Sequence, residues 1–179
     1  KRSPSPICYF IPYRLKYRDS RLKEEKKMAE TRNIFVTRIT KPKRKVMIKR
    51  GVKGEEYWDY SMEVGCDVWG ILKSITPEPV CMWLPDKYRK PGTSKYVQGV
   101  ELPFDWNGKV MDGFEVVDMD ESEYLMFQGE AFEEEYYEEA IKEVERAMEK
   151  YDPSLIGARW NEYEPRIQLE PRDERGYIE

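Results

Sequence analysis

The sequence contains no histidine, and only three of its 179 residues are cysteine. Without histidine, Ser-His-Asp triads, histidine general bases and metal sites that need an imidazole ligand are excluded. Cys8, Cys66 and Cys81 form no CxxC pair, and their odd number argues against a disulfide framework. No apolar run reaches the roughly 18 residues of a membrane span, and no signal peptide is recognisable. We therefore expect a cytoplasmic protein with no membrane partner.

Nucleotide and metal motifs are missing as well. Neither GxxxxGK[ST] nor GxGxxG occurs, and no cluster of metal ligands stands out. We predict no cofactor and no metal. Cys66 and Cys81 lack a histidine to activate them, so both are interpreted as packing residues. An enzyme built from this chain would take its acid and base from Asp, Glu, Tyr, Lys or Cys.

The residues that are present indicate a globular protein with uneven charge. Charged residues make up 37% and aromatic residues 13%, which is polar overall but too rich in rings for a disordered chain. Residues 1–53 hold 18 Lys and Arg against 4 Asp and Glu, whereas the remainder holds 13 against 31. A basic segment before an acidic body indicates either a position near nucleic acid or folding of the basic part against the acidic part. The charges favour neither alternative.

Short apolar alternations separated by turn residues predict an α+β fold. An amphipathic helix is predicted for 55–72, with a break at Gly65 left open, and a clearer helix for 133–151. The apolar stripe of the first helix contains Tyr57, Trp58, Met62, Val68, Trp69 and Leu72. Strands are predicted at 34–39, 46–48, 80–84, 96–102, 114–117, 124–127, 166–170 and 175–179.

An internal repeat links the two halves of the chain. The block Glu55-Glu56-Tyr57-Trp58 follows one predicted strand, and Glu134-Glu135-Tyr136-Tyr137 follows another 79 residues later. Together with the order strand, helix, strand, strand in each half, the repeat predicts two modules, at about 32–104 and 105–179, related by an approximate two-fold axis. One module alone is too small to bury its helix well, so we expect a shared core or cleft between them.

A glutamate and a set of rings are the candidate site residues. Glu170 ends the predicted strand Ile167-Gln168-Leu169-Glu170, where an unpaired carboxylate is costly to bury. It faces water or pairs with Arg166 or Arg172, or else it serves as a pocket carboxylate. Each ring is individually more typical of a core than of a ligand contact, but together they suit a flat, apolar or cationic ligand. The candidate rings are Tyr57, Trp58, Trp69, Trp83, Tyr96, Phe127, Trp160 and Tyr177.

Three stretches of the chain resemble a known family. They are Gly65-Cys66-Asp67-Val68-Trp69-Gly70, the segment from Met82-Trp83-Leu84-Pro85 to Glu101, and the ending from Pro165 to Glu179. Over roughly residues 32–179 they look like the GyrI-like effector-binding domain of AraC-type transcription regulators. The resemblance implies two modules related by a pseudo-two-fold, antiparallel sheets, a central ligand cleft and a glutamate at its base, for which Glu170 is the best match. Residues 1–31 look like a basic linker after a helix-turn-helix domain that this chain lacks.

We therefore expect a noncatalytic sensor domain that binds a small aromatic or cationic effector. DNA would be contacted only through the missing domain, and a homodimer is compatible with the sequence. The alternative is a small GyrI-like hydrolase, in which Glu170 acts as a base beside a pocket tyrosine. A third reading is a protein-binding module whose acidic face meets a basic partner.

Overall fold

The computed structural model of the chain describes residues 33–65, 67–76, 78–132 and 136–169. Along these residues the elements follow the order β1, β2, α1, α2, β3, β4, β5, β6, α3, β7. The strands are β1 Phe35–Lys41, β2 Arg44–Arg50, β3 Val80–Trp83, β4 Tyr96–Pro103, β5 Glu115–Met119, β6 Ser122–Gln128 and β7 Arg166–Leu169. The helices are α1 Tyr57–Val64, α2 Val68–Lys73 and α3 Tyr137–Lys150, and a 3₁₀ turn covers Pro153–Ile156.

The described strands form two antiparallel sheets. Five strands follow the order β5-β2-β4-β3-β7, and β1 and β6 form a separate pair. Every ladder is antiparallel. The predicted α+β class with antiparallel sheets is confirmed. None of the helices in the described ranges combines the length and apolar character that crossing a membrane requires.

The strand registers relate the two halves of the chain. In the β1–β6 ladder Thr40 pairs with Glu123, and in the β2–β5 ladder Met119 pairs with Arg44. Met119 lies 79 positions after Thr40, and Glu123 lies 79 positions after Arg44. This is the same offset as that of the sequence repeat. β3 and β7 pair with each other from end to end, Val80 with Leu169, as two strands on either side of a two-fold axis do.

The modules exchange their first strands, which the sequence order did not predict. β1 pairs with β6 of the second half, and β5 pairs with β2 of the first half. The connections offer a reason, because Pro42-Lys43 and Asp120-Glu121 contain no glycine or asparagine. A two-residue hairpin needs such residues for its positive φ angles. Each connection therefore passes from one sheet to the other instead of closing a hairpin.

The predicted helix 55–72 is two helices separated at Gly65. Gly65 has φ +99°, which favours glycine, and its N–H donates to the Ser61 carbonyl to end α1. This break changes which side of the helix is buried. Tyr60 is fully buried, whereas Trp58 and Met62 are 72% and 78% exposed. The prediction that Tyr57, Trp58 and Met62 belong to a buried stripe is therefore wrong, whereas Val68 and Leu72 of α2 are buried.

Opposite faces of the five-stranded sheet carry two hydrophobic clusters. Met47 and Val100 pack against α2, while Val46 and Ile48 lie on the other face with Val97. This alternation follows from the two-residue period of a strand. In the second half, Ala140 and Val144 of α3 pack on Phe127 of β6. The amphipathic stripe predicted for this helix supplies its buried residues.

Candidate functional site

A cavity of about 1130 Å³ lies beside the β1–β6 pair. Its walls come from β1, β6, α3, β7 and the segment 153–165 that connects α3 to β7. This volume is slightly above the range of about 300 to 1000 Å³ that is typical of small-molecule sites. This cavity is the candidate functional site.

The cavity borders both faces of β6. Tyr124 lies opposite Ile39 of β1 in the ladder and shares its face, whereas Phe127 projects to the opposite face and packs under α3. All of these residues line the cavity. The cavity is therefore bordered by residues from both faces of β6 and by residues of β1.

One wall of the cavity is aromatic. The buried Phe127 ring meets Tyr151 edge-on, with ring centroids 5.4 Å apart, and lies 6.4 Å from the tilted ring of Trp160. Trp160 is half exposed, so its ring can contact both the core and a molecule in the cavity. Rings at such distances are worth about 0.5 to 1.5 kcal/mol per pair beyond the area they bury.

A half-buried carboxylate, Glu164, lines the cavity on the segment between α3 and β7. Lys87 Nζ donates to its Oε1 at 3.1 Å, and the Tyr88 hydroxyl donates to its Oε2 at 3.2 Å. Lys87 also donates to Asp120 at 3.0 Å. Its bond with Tyr88, followed by those with Asp120 and Glu164, raises the pKa of Lys87 above its ordinary value. The lysine is therefore charged, and it forms an ion pair with Glu164.

Tyr124 links the cavity to a buried polar cluster on the neighbouring strands. Arg44 lies with its Cζ 5.9 Å from the centroid of the Tyr124 ring, and its Nε donates to Glu101 at 2.7 Å. Lys41 donates to the other Glu101 oxygen at 2.7 Å. Burial raises the pKa of Tyr124, so its hydroxyl stays protonated. The neighbouring Arg44 guanidinium opposes this rise in the Tyr124 pKa, and the Tyr124 hydroxyl in turn helps to raise the pKa of Arg44.

Two of the sequence-predicted site residues, Phe127 and Trp160, line this cavity together. Tyr57 and Trp58 lie on the exposed side of α1, where their rings meet edge-on at 5.1 Å, and they do not line it. Glu170 lies outside the described residues, and so does Tyr177. The assignment of these two to the ligand site stays a prediction.

The remaining predicted rings lie in the first half, away from the cavity lining. Tyr96 is buried and meets the Trp83 ring edge-on at 5.1 Å. The Trp83 ring is also covered by the Arg166 guanidinium, 4.4 Å from its centroid. Trp69 is half-buried beside Val64 and the same cluster. These three rings pack within the fold, as the more frequent role of large aromatic residues suggests.

Tyr124 and Glu164 are cavity residues that the sequence reasoning missed. Tyr124 is the first residue of the predicted strand 124–127, and its position opposite Ile39 depends on a ladder between distant segments. Glu164 stands in an irregular stretch before Pro165 and has no local pattern to distinguish it from the other acids. Among the residues that the structure describes, no group of three acidic or cysteine side chains is arranged to hold a metal ion.

Comparisons with known proteins identify a solved chain of similar fold. No protein family model matches the chain, and no curated protein matches it. A solved chain from Staphylococcus aureus MU50, whose name assigns it an inferred role in bacterial transcription regulation, is similar with a TM-score of 0.48 and 10% sequence identity. The match covers 82% of this chain and 94% of that chain. A likeness at this level carries no argument about ligand or mechanism.

Proposed function

We propose that the chain is the noncatalytic sensor domain of a transcription regulator and binds a small aromatic or cationic effector in the cavity beside β6. The observation that carries this proposal is one cavity that combines the Phe127 and Trp160 rings with the Glu164 carboxylate. A flat ligand would lie against the rings. A cationic group near a desolvated ring would gain about 0.5 to 2 kcal/mol per contact, and the carboxylate adds charge complementarity.

The regulatory part of the proposal is supported by the GyrI-like resemblance of residues 32–179, in which such domains follow AraC-type DNA-binding helices. An effector changes DNA binding only when it prefers one arrangement of the whole regulator. Titration of full-length protein with effector and operator DNA tests this part. Saturated effector binding without any change in DNA affinity would overturn the regulatory role and leave the binding site intact.

Binding itself is tested with a planar aromatic cation, acridine orange, and an aromatic anion of similar size, 1-anilinonaphthalene-8-sulfonate. We expect the cation to quench Trp160 emission and to bind at least tenfold more weakly to Glu164→Gln, because the variant lacks the carboxylate. Trp58→Phe is the matched control, since Trp58 is exposed on α1 and does not line the cavity. Equal binding of cation and anion, unchanged in Glu164→Gln, would exclude this cavity as the cation site.

A hydrolase is the second candidate, because the Tyr88 hydroxyl lies 3.2 Å from Glu164 Oε2. A carboxylate beside a hydrogen-bond donor can act as a general base when the two are in reach of each other. Turnover of an electrophilic ester or epoxide, lost in both Glu164→Gln and Tyr88→Phe, would favour this candidate. Reversible binding without product favours the sensor.

A further inference from the structure

The Glu164 carboxylate does not face the cavity as an unpaired anion. The turn that follows β3 engages both of its oxygens, Oε1 through the Lys87 ammonium at 3.1 Å and Oε2 through the Tyr88 hydroxyl at 3.2 Å. The Glu164 side chain is only 13% exposed, so water screens its attraction to Lys87 incompletely. A carboxylate that a lysine already neutralises attracts another cation less strongly. The affinity of this site for a cationic ligand therefore depends on Lys87.

Lys87 has a second carboxylate within reach, that of Asp120. Its Nζ donates to Asp120 at 3.0 Å as well as to Glu164, and it lies 4.7 Å from the centroid of the Tyr88 ring. The Lys87 side chain is 41% exposed, whereas Tyr88 is buried and its N–H donates to the Pro85 carbonyl. Tyr88 is therefore held in place, and the long, flexible Lys87 side chain can move its ammonium toward either carboxylate.

Only one of these two carboxylates borders the cavity. Glu164 is among the lining residues, whereas Lys87 and Asp120 are not. Lys87 therefore approaches Glu164 from outside the lining, and a ligand would approach it from inside. The two cations would compete through charge and not through space, so Lys87 is a positioning residue that acts on a ligand through Glu164.

We propose that Lys87 sets the affinity of the cavity for cationic ligands by dividing its charge between Glu164 and Asp120. A cation that enters the cavity repels Lys87 from Glu164, and Asp120 then holds the displaced ammonium. Asp120 belongs to the connection between β5 and β6, which lie in different sheets, so occupancy of the cavity is felt where the sheets meet. This inference rests on the proposed function, because it presupposes a cationic ligand beside Glu164.

Titration of Lys87→Met with acridine orange and with 1-anilinonaphthalene-8-sulfonate tests the proposal. An exposed ion pair shifts an equilibrium by at most about fivefold, and Glu164 is largely buried, so we expect the cation to bind at least about fivefold more tightly than to wild type. The sulfonate should not bind more tightly. A change in packing alone would move the two affinities in the same direction. Lys87→Arg, which retains the charge, should restore the wild-type affinities.

Lys45→Met is the matched control for the loss of one positive charge. Lys45 donates to Asp118 at 2.8 Å, and neither residue lines the cavity. We expect this variant to bind acridine orange as wild type does. Equal tightening in Lys45→Met and Lys87→Met would show a general effect of net charge and overturn the proposal.

Asp120→Asn tests the second half of the proposal and supplies a test should Lys87→Met not fold, because the Asp120 side chain is 66% exposed. Without Asp120, Lys87 stays on Glu164, and acridine orange should bind about threefold more weakly. The same substitution in Lys87→Met should have no effect, since Asp120 acts through Lys87. Equal weakening in both backgrounds would show that Asp120 attracts the ligand directly and would refute its role.

Glu164→Gln, made in wild type and in Lys87→Met, separates the two ways of failing. Acridine orange binding that ignores Glu164→Gln in both backgrounds would remove the cation site from this cavity, and with it both the proposed function and the role of Lys87. Binding that weakens in Glu164→Gln but is unchanged in Lys87→Met and Asp120→Asn would leave the sensor function standing and refute the role of Lys87.

Discussion

Glu101 joins the two sheets, and replacing it with Gln measures what this junction contributes to stability. Lys41 of β1 donates to Glu101 Oε2, and Arg44 of β2 donates to Oε1, each at 2.7 Å. The Arg44 side chain is 6% exposed and the Glu101 side chain 25% exposed. One carboxylate of β4 thus compensates two cations that are largely buried.

The expected loss follows from burial. Removing one partner of a buried ion pair costs about 3 to 5 kcal/mol, because the remaining charge is buried without compensation. Glu101 is a quarter exposed, so solvent screening reduces the expected loss for Glu101→Gln to about 2 to 3 kcal/mol. The matched control is Glu123→Gln, whose partner Arg38 is 58% exposed while Glu123 itself is 60% exposed. An exposed pair contributes only about 0 to 1 kcal/mol.

Urea unfolding followed by tryptophan fluorescence and circular dichroism measures both variants. With a urea dependence of about 1 to 3 kcal/mol per molar, we expect the midpoint of Glu101→Gln to fall by about 1 M and that of Glu123→Gln to change little. Salt at about 1 M should remove any effect of Glu123→Gln and leave most of the effect of Glu101→Gln, because buried pairs are screened less. Equal losses in the two variants would refute the argument from burial.

Three further outcomes are expected. Gly99→Ala should lower stability by about 1 to 3 kcal/mol in urea unfolding, because its Cβ would lie 2.5 Å from the Met47 carbonyl oxygen, whereas Gly70→Ala, with open space in α2, should be neutral or stabilising. Burial alone would raise the pKa of Glu115, but hydrogen bonds from Lys90 and Arg50 lower it below its ordinary value of 4.5. The contribution of ionised Glu115 to the free energy of unfolding is therefore present above pH 4.5 and is lost as the pH falls through the pKa of the folded state. The stability difference between wild type and Glu115→Gln should therefore shrink between pH 6 and acid, and a constant difference would contradict this. Trp58→Phe removes a tryptophan that is 72% exposed, whereas Trp83→Phe removes a half-buried one. Acrylamide should therefore quench the remaining tryptophan emission less in Trp58→Phe than in Trp83→Phe. Equal quenching of the two variants would contradict the position of α1.

The elements of the fold could be predicted from local patterns, but their pairing could not. Alternation at Val46 and Ile48 and the stripe of α3 placed strands and helix within a few residues of their observed bounds. The exchange of β1 and β5 between halves depends on pairs of residues that lie 67 to 93 positions apart in the sequence, and such pairs are not encoded by local periodicity. The one local signal in the sequence against a β1–β2 hairpin is the connection Pro42-Lys43, which contains no glycine or asparagine.

The candidate site was less predictable because residue type does not specify which side of an element is buried. Tyr57 and Trp58 are aromatic, yet α1 buries Tyr60 and leaves these two side chains exposed. The predicted stripe assumed one continuous helix, whereas the backbone at Gly65 separates α1 from α2. Phe127 could be placed because its strand and the stripe of α3 belong to one local unit. Glu164 could not, because it contacts Lys87 and Tyr88 from a segment 76 residues away in sequence.

The cavity lies where the lengths of the two halves of the fold differ. β5 and β6 lie 79 residues after their counterparts β1 and β2, but β7 (166–169) lies 86 residues after β3 (80–83). The second half therefore has seven more residues before its third strand, and they fall in or near the stretch between α3 and β7. That stretch holds Trp160 and Glu164, which wall the cavity. Trp160 and Glu164 therefore lie on a segment that has no equal-length counterpart in the first half. The candidate site lies where the two halves of the duplicated fold differ.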